Sequence, residues 1–109
     1  MSRPIYSVLF SRRAEADLDR LAEHLLRNAR TLEELERAVD ILRELRAAVV
    51  QQLGTMPWSL RKAGEGSRTT RRELVVPCGA TGYVVLYEIE PGQRVLVLAL
   101  RHQLEQDYH

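Results

Sequence analysis

The order of hydrophobic and polar residues divides the chain into six predicted elements, of which the first two are a strand and a helix. Residues 5–10 are rich in β-forming side chains and predict the strand. Ser11 then stands at a helix N-cap position, and apolar residues recur behind it at three- and four-residue steps. This spacing predicts an amphipathic helix that ends near residues 28–30. Its apolar stripe is Ala14, Leu18, Leu21, Ala22 and Leu25.

A second helix is predicted directly after this break. Thr31 and Glu34 fit the capping-box pattern, and the helix is expected to stop before Gly54. Because the break is short, the two helices must be antiparallel neighbours, and a third surface is needed to cover their apolar stripes. The second stripe is predicted to be Leu35, Val39, Leu42, Leu45 and Val49.

The rest of the chain reads as a long loop followed by three strands. Residues 54–70 lack periodicity and predict the loop, in which Trp58 and Leu60 are expected to pack on the core. The strands are predicted at 72–76, 83–89 and 94–100. Pro77 is expected to close the first strand, and the last is apolar on both faces, as a doubly covered central strand is.

These elements predict an α+β domain with the order β-α-α-β-β-β, a helical hairpin packed on a small, mostly antiparallel sheet. With 109 residues, 45% of them hydrophobic and 28% charged, one globular domain over residues 1–109 is expected. The longest apolar run, 95–100, is too short to cross a bilayer, and no secretory signal pattern is visible. The single cysteine, Cys78, excludes an internal disulfide, so a cytoplasmic location is expected.

The net charge of +1 conceals an asymmetry along the chain. Residues 31–53 are mainly acidic, whereas residues 54–76 are mainly basic. Few side chains offer catalytic chemistry: the segment Gly64-Glu65-Gly66 lacks the lysine of a phosphate-binding loop, and Cys78 has no base beside it in the sequence. The sequence therefore favours a protein that acts by binding over an enzyme.

The chain resembles the ParE/RelE superfamily of toxins from type II toxin–antitoxin systems. The opening strand and helix start, from Tyr6 to Leu21, are similar to those of the family. The C-terminal half is more specific: Arg72-Glu73-Leu74-Val75-Val76-Pro77, then Gly82-Tyr83-Val84-Val85-Leu86-Tyr87-Glu88-Ile89, then Val95 to Leu100. The ending Arg101-His102-Gln103, followed by Asp107-Tyr108, resembles the plasmid-stabilisation ParE branch in particular.

The resemblance implies two alternative activities. ParE-like members poison DNA gyrase by binding it, and RelE-like members are ribosome-dependent, metal-independent messenger-RNA endonucleases. If this chain were a nuclease, its catalytic residues would be His102, Arg101, Arg72 and Arg71, because RNA cleavage needs an acid, a base and cations at the phosphate. Such nucleases often carry an arginine where Tyr83 stands here, which favours the gyrase inhibitor.

The resemblance also implies partners. For a gyrase inhibitor, the expected target-binding residues are Arg61, Lys62, Arg71, Arg72, Arg101, His102 and Tyr108. A ParD-like antitoxin should bind the helical hairpin, where Leu26, Leu32 and Ile41 lie off the predicted stripes, and operon DNA would be bound only through that antitoxin. No cofactor or metal is implied. A third alternative is a non-toxic corepressor that only binds its antitoxin, because Gln103 and Gln106 stand where relatives often carry charge.

Overall fold

The computed structural model describes residues 5–59, 70–78 and 81–103. Within these ranges the chain forms two helices and four strands in the predicted order. The elements are β1 (Ser7–Phe10), α1 (Arg12–Arg27), α2 (Leu32–Thr55), a 3-10 turn (Pro57–Ser59), β2 (Arg71–Cys78), β3 (Thr81–Glu90) and β4 (Arg94–His102). This is the predicted α+β fold.

The four strands form one mixed sheet in the order β1-β4-β3-β2. β1 runs parallel to β4, and the other two pairs are antiparallel, so the prediction of a mostly antiparallel sheet is confirmed. The turn between β3 and β4 has positive φ angles at Gly92 and Gln93, of 79° and 56°. Glycine adopts such a conformation without steric cost, which explains its place in this turn.

Both helices pack on the same face of the sheet. The core contains the odd-numbered residues of β3 from Tyr83 to Ile89, together with buried residues of both helices. We call the opposite side of the sheet its outer face. Leu96 and Leu98 of β4 are only partly buried, whereas Val95 and Val97 are fully buried. β4 is therefore central as predicted, but it is not doubly covered, because its outer face is only partly buried at Leu96 and Leu98.

A β-bulge in β4 keeps its apolar side chains on the helical face. Leu86 pairs with Ala99, but Tyr87 pairs with Val97, so Leu98 is an extra residue in β4. Before the bulge Val95 and Val97 point into the core, and after it Leu100 does so. The extra residue therefore shifts the alternation by one position.

Helix α1 covers the edge of β4 that β1 leaves free. β1 ends where Phe10 pairs with Val97. Ser11 caps α1 as predicted, accepting a hydrogen bond from Ala14 N, and its hydroxyl donates to the carbonyl of Leu98 at 3.0 Å. Six residues further on, the Asp17 carboxylate accepts a hydrogen bond from Leu100 N at 2.9 Å. These side chains satisfy backbone groups that would otherwise be unpaired at a strand edge.

Helix α2 buries a different stripe from the one predicted. Leu45 and Val49 are fully buried as expected, but Leu35 and Val39 are each 41% exposed. The remaining buried positions of this helix are Ala38, Leu53 and Gly54. α2 is antiparallel to α1, since Arg46 in its second half pairs with Glu15 near the start of α1, at 3.0 Å. The predicted hairpin is confirmed, and the first turns of α2 lie outside the core.

One predicted cap is incomplete, and several predicted element ends differ from the observed ones by one or two residues. Glu34 accepts from Arg30 N, and not from Thr31 N as a capping box requires, although Thr31 does cap Glu34 N. α2 does not stop before Gly54, whose carbonyl accepts hydrogen bonds from Ile5 N and Tyr6 N. β2 continues through Pro77, which is possible because β2 is an edge strand and its proline needs no partner on that side.

Candidate functional site

The candidate cations of the sheet lie on both of its faces. Arg71 and Arg72 are consecutive in β2, so their side chains point to opposite faces, and the same holds for Arg101 and His102 in β4. Arg72 pairs with Tyr87 and His102 with Tyr83, both in the core, so Arg72 and His102 are on the helical face. Arg71 and Arg101 are consequently on the outer face.

Residues on the same face are also far apart. The β3 partners of Arg72 and His102 are four residues apart, which corresponds to about 13 Å along a strand. The partners of Arg71 and Arg101 are Glu88 and Val84, again four residues apart. The backbone therefore does not bring the four residues predicted for a nuclease to one phosphate-sized site.

Arg71 forms an ion pair with its cross-strand neighbour. Its guanidinium lies 3.1 Å from the Glu88 carboxylate, which also accepts a hydrogen bond from the Thr70 hydroxyl. The Glu88 side chain is 14% exposed, whereas that of Arg71 is 42% exposed. The charge of Arg71 is thus partly neutralised at the start of β2.

Arg72 is held against Trp58 on the helical side of β2. Its guanidinium stacks on the indole ring at 5.1 Å from the ring centroid and donates to the Trp58 carbonyl at 2.8 Å. The indole Nε1 donates to the Tyr6 hydroxyl at 3.2 Å. Trp58 is 46% exposed, so the prediction that it packs into the core is wrong, and Pro57 beside it is the residue that is buried.

Tyr87 fixes the 3-10 turn to the sheet. Its hydroxyl donates to the Pro57 carbonyl at 2.6 Å, and the side chain is fully buried. Burial raises the pKa of Tyr87 to about 12, because a phenolate would lose its hydration, while the nearby charge of Arg72 opposes the rise. Tyr87 is therefore a neutral hydrogen-bond donor over the physiological pH range.

At the other end of the sheet, Arg101 and His102 terminate β4. The His102 ring meets Tyr83 edge to face, with centroids 5.4 Å apart. Arg101 Nη1 donates to the carbonyls of His102 and Gln103. Gln103 N in turn donates to the Gly82 carbonyl, and a side chain at Gly82 would lie 2.8 Å from the Gln103 amide oxygen. This packing closes the β3–β4 end of the sheet.

Of the three residues predicted to bind an antitoxin, two are exposed on one surface and the third packs against the core. Leu26 is 40% and Leu32 is 71% exposed, close to the turn between the helices. Ile41 instead packs against the core, because the buried stripe of α2 is displaced from the predicted one. Leu35 and Val39 take the exposed positions, where they line a shallow groove with Glu36, Asp40 and Arg43. We call Leu26, Leu32, Leu35 and Val39 the hairpin surface.

Three further predicted target-binding residues, Arg61, Lys62 and Tyr108, lie outside the described residues, as does Leu60. Within the described ranges no group of three or more His, Cys, Asp or Glu side chains is placed to hold a metal ion. None of the helices in those ranges combines the length and hydropathy that a membrane span requires.

The family model for the ParE toxin of the type II toxin–antitoxin system parDE matches residues 8–107. The chain belongs to this family. The predicted resemblance to ParE-like toxins is therefore confirmed, and this chain is a ParE-family toxin of a type II toxin–antitoxin system.

A solved structure supports the fold of this ParE-family chain. The chain is similar to a structure described as the chromosomal ParDE TA system from P. aeruginosa, with a TM-score of 0.67 and 18% sequence identity. The match covers 90% of this chain and 96% of the other. A comparison with curated proteins finds no match.

Sequence reasoning missed two features of this ParE-family chain. Asp17 is absent from the predicted apolar stripe of α1, but it is 6% exposed and binds the β4 backbone. Its spacing from Ala14 and Leu21 places it on the buried stripe, and that is the signal that could have revealed it. The exposed position of Trp58 had no such signal, because it depends on contacts with Tyr6 and Arg72 that are distant in sequence.

Proposed function

We propose that this ParE-family chain poisons DNA gyrase in the cytoplasm and is neutralised by a ParD-like antitoxin. Membership of the ParE family supports this proposal over the RelE-like nuclease. The observation that carries it is the separation of the four nuclease candidates: consecutive arginines and the Arg101-His102 pair are split between the two faces of the sheet. An acid–base pair for RNA cleavage must reach the same phosphate, within hydrogen-bonding distance.

The antitoxin is proposed to cover the hairpin surface. Leu32, Leu35 and Val39 follow one another at three- and four-residue steps along α2, so they form an exposed apolar stripe. Exposed apolar stripes of this kind are covered by amphipathic partner segments in many complexes. The carboxylates of Glu36 and Asp40 border the stripe, and they favour a partner segment that carries basic residues.

The test uses purified toxin in two parallel assays. Incubation with gyrase and supercoiled DNA should accumulate cleaved DNA, whereas incubation with translating ribosomes should leave the messenger RNA intact. Codon-linked cuts in the messenger would support the nuclease and contradict the proposal. If neither assay responds and expression without antitoxin is harmless, the chain is a corepressor.

The variant His102→Ala separates the two toxic activities. His102 packs on Tyr83 at the edge of the core, so its loss should only weaken a binding function. A nuclease that depends on this imidazole would lose its activity. Arg27→Ala is the matched control, because Arg27 is an exposed cation at the far end of α1 whose described ion pair is with Glu23.

The antitoxin contact is tested by Leu32→Ser combined with Leu35→Ser. Both side chains are exposed, so the fold should be retained while affinity for the antitoxin falls about tenfold or more, which corresponds to about 1.4 kcal/mol. Unchanged affinity, measured by calorimetry with the purified antitoxin, would place the antitoxin elsewhere on the toxin.

A further inference from the structure

Large apolar side chains are exposed together at the C-terminal end of α2. Ile5 is 62%, Met56 64% and Trp58 46% exposed. Soluble proteins rarely expose several large apolar side chains side by side unless the surface binds a partner. With Tyr6 and Arg72, which contact Trp58, these residues form what we call the Trp58 cluster.

The cluster is held rigidly by bonds to the core elements. Ile5 N and Tyr6 N both donate to the Gly54 carbonyl, at 2.6 and 2.8 Å, which fixes the chain before β1 to the end of α2. The buried hydroxyl of Tyr87 holds Pro57, next to Trp58. A surface that is already ordered loses little conformational entropy on binding, which is the property of efficient interface residues.

The composition of the cluster indicates a protein partner. Tryptophan, tyrosine, methionine and arginine are the residue types enriched at the centres of protein interfaces. A protein surface that binds nucleic acid is more polar than this one. Exposed apolar side chains such as Met56 and Ile5 are not expected on such a surface. The stacked pair of Arg72 and Trp58 adds a cation at the centre of the apolar surface.

The charge of the neighbouring sequence indicates that this partner is acidic. From residue 56 to residue 70 the sequence carries Arg61, Lys62 and Arg68 against Glu65 as the only carboxylate, and Arg72 adds a cation within the cluster. Complementary net charge between two proteins accelerates their association and selects the partner. The fitting surface is thus an apolar pocket bordered by carboxylates.

We infer that the Trp58 cluster is the surface by which this toxin binds its protein target. The matching surface of the target is an apolar pocket bordered by acidic residues. This inference rests on the proposed function, under which the pocket belongs to gyrase. The cluster and the hairpin surface lie at opposite ends of α2, whose 24 residues correspond to about 36 Å. Target and antitoxin would therefore contact separate surfaces of the toxin.

The experiment compares wild-type toxin with the double variant Ile5→Gln, Met56→Gln in the gyrase cleavage assay. Both residues are exposed, and the variant retains the bonds among Tyr6, Trp58 and Arg72. We expect the toxin concentration for half-maximal DNA cleavage to rise about tenfold or more, with unchanged thermal stability and antitoxin affinity. Val75→Gln is the matched control, since Val75 is an exposed apolar residue of β2 outside the cluster, at 42% exposure.

A second readout uses the single tryptophan of the chain. Toxin labelled with fluorotryptophan should give one fluorine NMR signal from position 58, which should shift or broaden with purified gyrase but not with a single-stranded oligonucleotide alone. Equal cleavage by wild type and double variant would overturn the inference and leave the gyrase proposal intact. A response to the oligonucleotide alone would overturn the assignment of a protein partner. Absence of cleavage by the wild type would instead refute the proposed function, and the inference with it.

Discussion

The two helices of this toxin differ in how they are fixed to the rest of the molecule. α1 is bound to β4 by polar side chains that contact the strand's backbone, through Ser11, Asp17 and Arg20. The first turns of α2 have no such contact, and residues 31–37 are all exposed. Both helices carry regularly spaced apolar residues, so spacing alone does not determine burial. A stripe is buried only where another element reaches it.

The largest expected difference in stability is between variants at two positions of α2. Leu45→Ala removes a fully buried side chain and should lower the free energy of unfolding by about 2–5 kcal/mol. Leu35→Ala shortens an exposed side chain of the same helix and should change the free energy of unfolding by no more than about 0.5 kcal/mol. Urea unfolding of the two variants measures the difference, and similar losses would show that the start of α2 is part of the core.

The next largest effect concerns the anchor of α1. Asp17→Ala leaves Leu100 N without its charged acceptor in a buried position and should cost about 2–3 kcal/mol. Asp19→Ala is the control, because Asp19 is an exposed carboxylate on the same helix. If chemical denaturation gave equal midpoints for the two variants, the Asp17 bond would not be what anchors α1.

The caps of the two helices provide a finer comparison. Ser11→Ala removes the N-cap of α1 and also the hydrogen bond to Leu98, and we expect a loss of about 1–2 kcal/mol. Thr31→Ala removes an exposed cap only, with an expected loss of about 0.5 kcal/mol. Thermal unfolding of the two single variants is the measurement, and a larger effect at Thr31 would reverse the comparison.

The smallest effect under ordinary conditions is the pH dependence of the contact between the 3-10 turn and the sheet. Because the pKa of Tyr87 rises from 10.0 to about 12 in the folded state, its contribution to stability is complete below about pH 10. The contribution is then lost as the pH rises from about 10 to about 12, since the unfolded chain ionises first. Tyr87→Phe should remove this decline. A wild-type unfolding midpoint that is constant over this window would contradict the raised pKa.

The sequence predicted the order and class of the elements because caps, turns and periodic stripes are local signals. Ser11 capped its helix as expected, and Gly92 lies in the predicted turn. The errors occurred where the outcome depends on distant contacts. Ile41 is partly buried because that side of α2 packs against the core, and Trp58 is exposed because Pro57 takes the place at the core.

The candidate site was less accessible to such reasoning. Residue types identified Arg71, Arg72, Arg101 and His102 correctly as cations near strand ends. Whether they meet depends on register and on the face that each side chain occupies, and neither can be read from spacing along the chain. The family was recognisable because the order and spacing of its strand motifs are preserved over residues 8–107.

The extra residue in β4 determines which face of the sheet each later side chain of the strand occupies. Up to Val97, odd-numbered side chains of this strand face the helices, and after Leu98 the even-numbered ones do. His102 therefore lies beside Tyr83 and Arg101 lies on the outer face. If β4 continued its regular alternation through Leu98 without the bulge, the two would be exchanged, and the outer face would present an imidazole where this toxin presents a guanidinium. The bulge thus determines, with no change of side chain, which of the two residues this end of the sheet presents on its outer face.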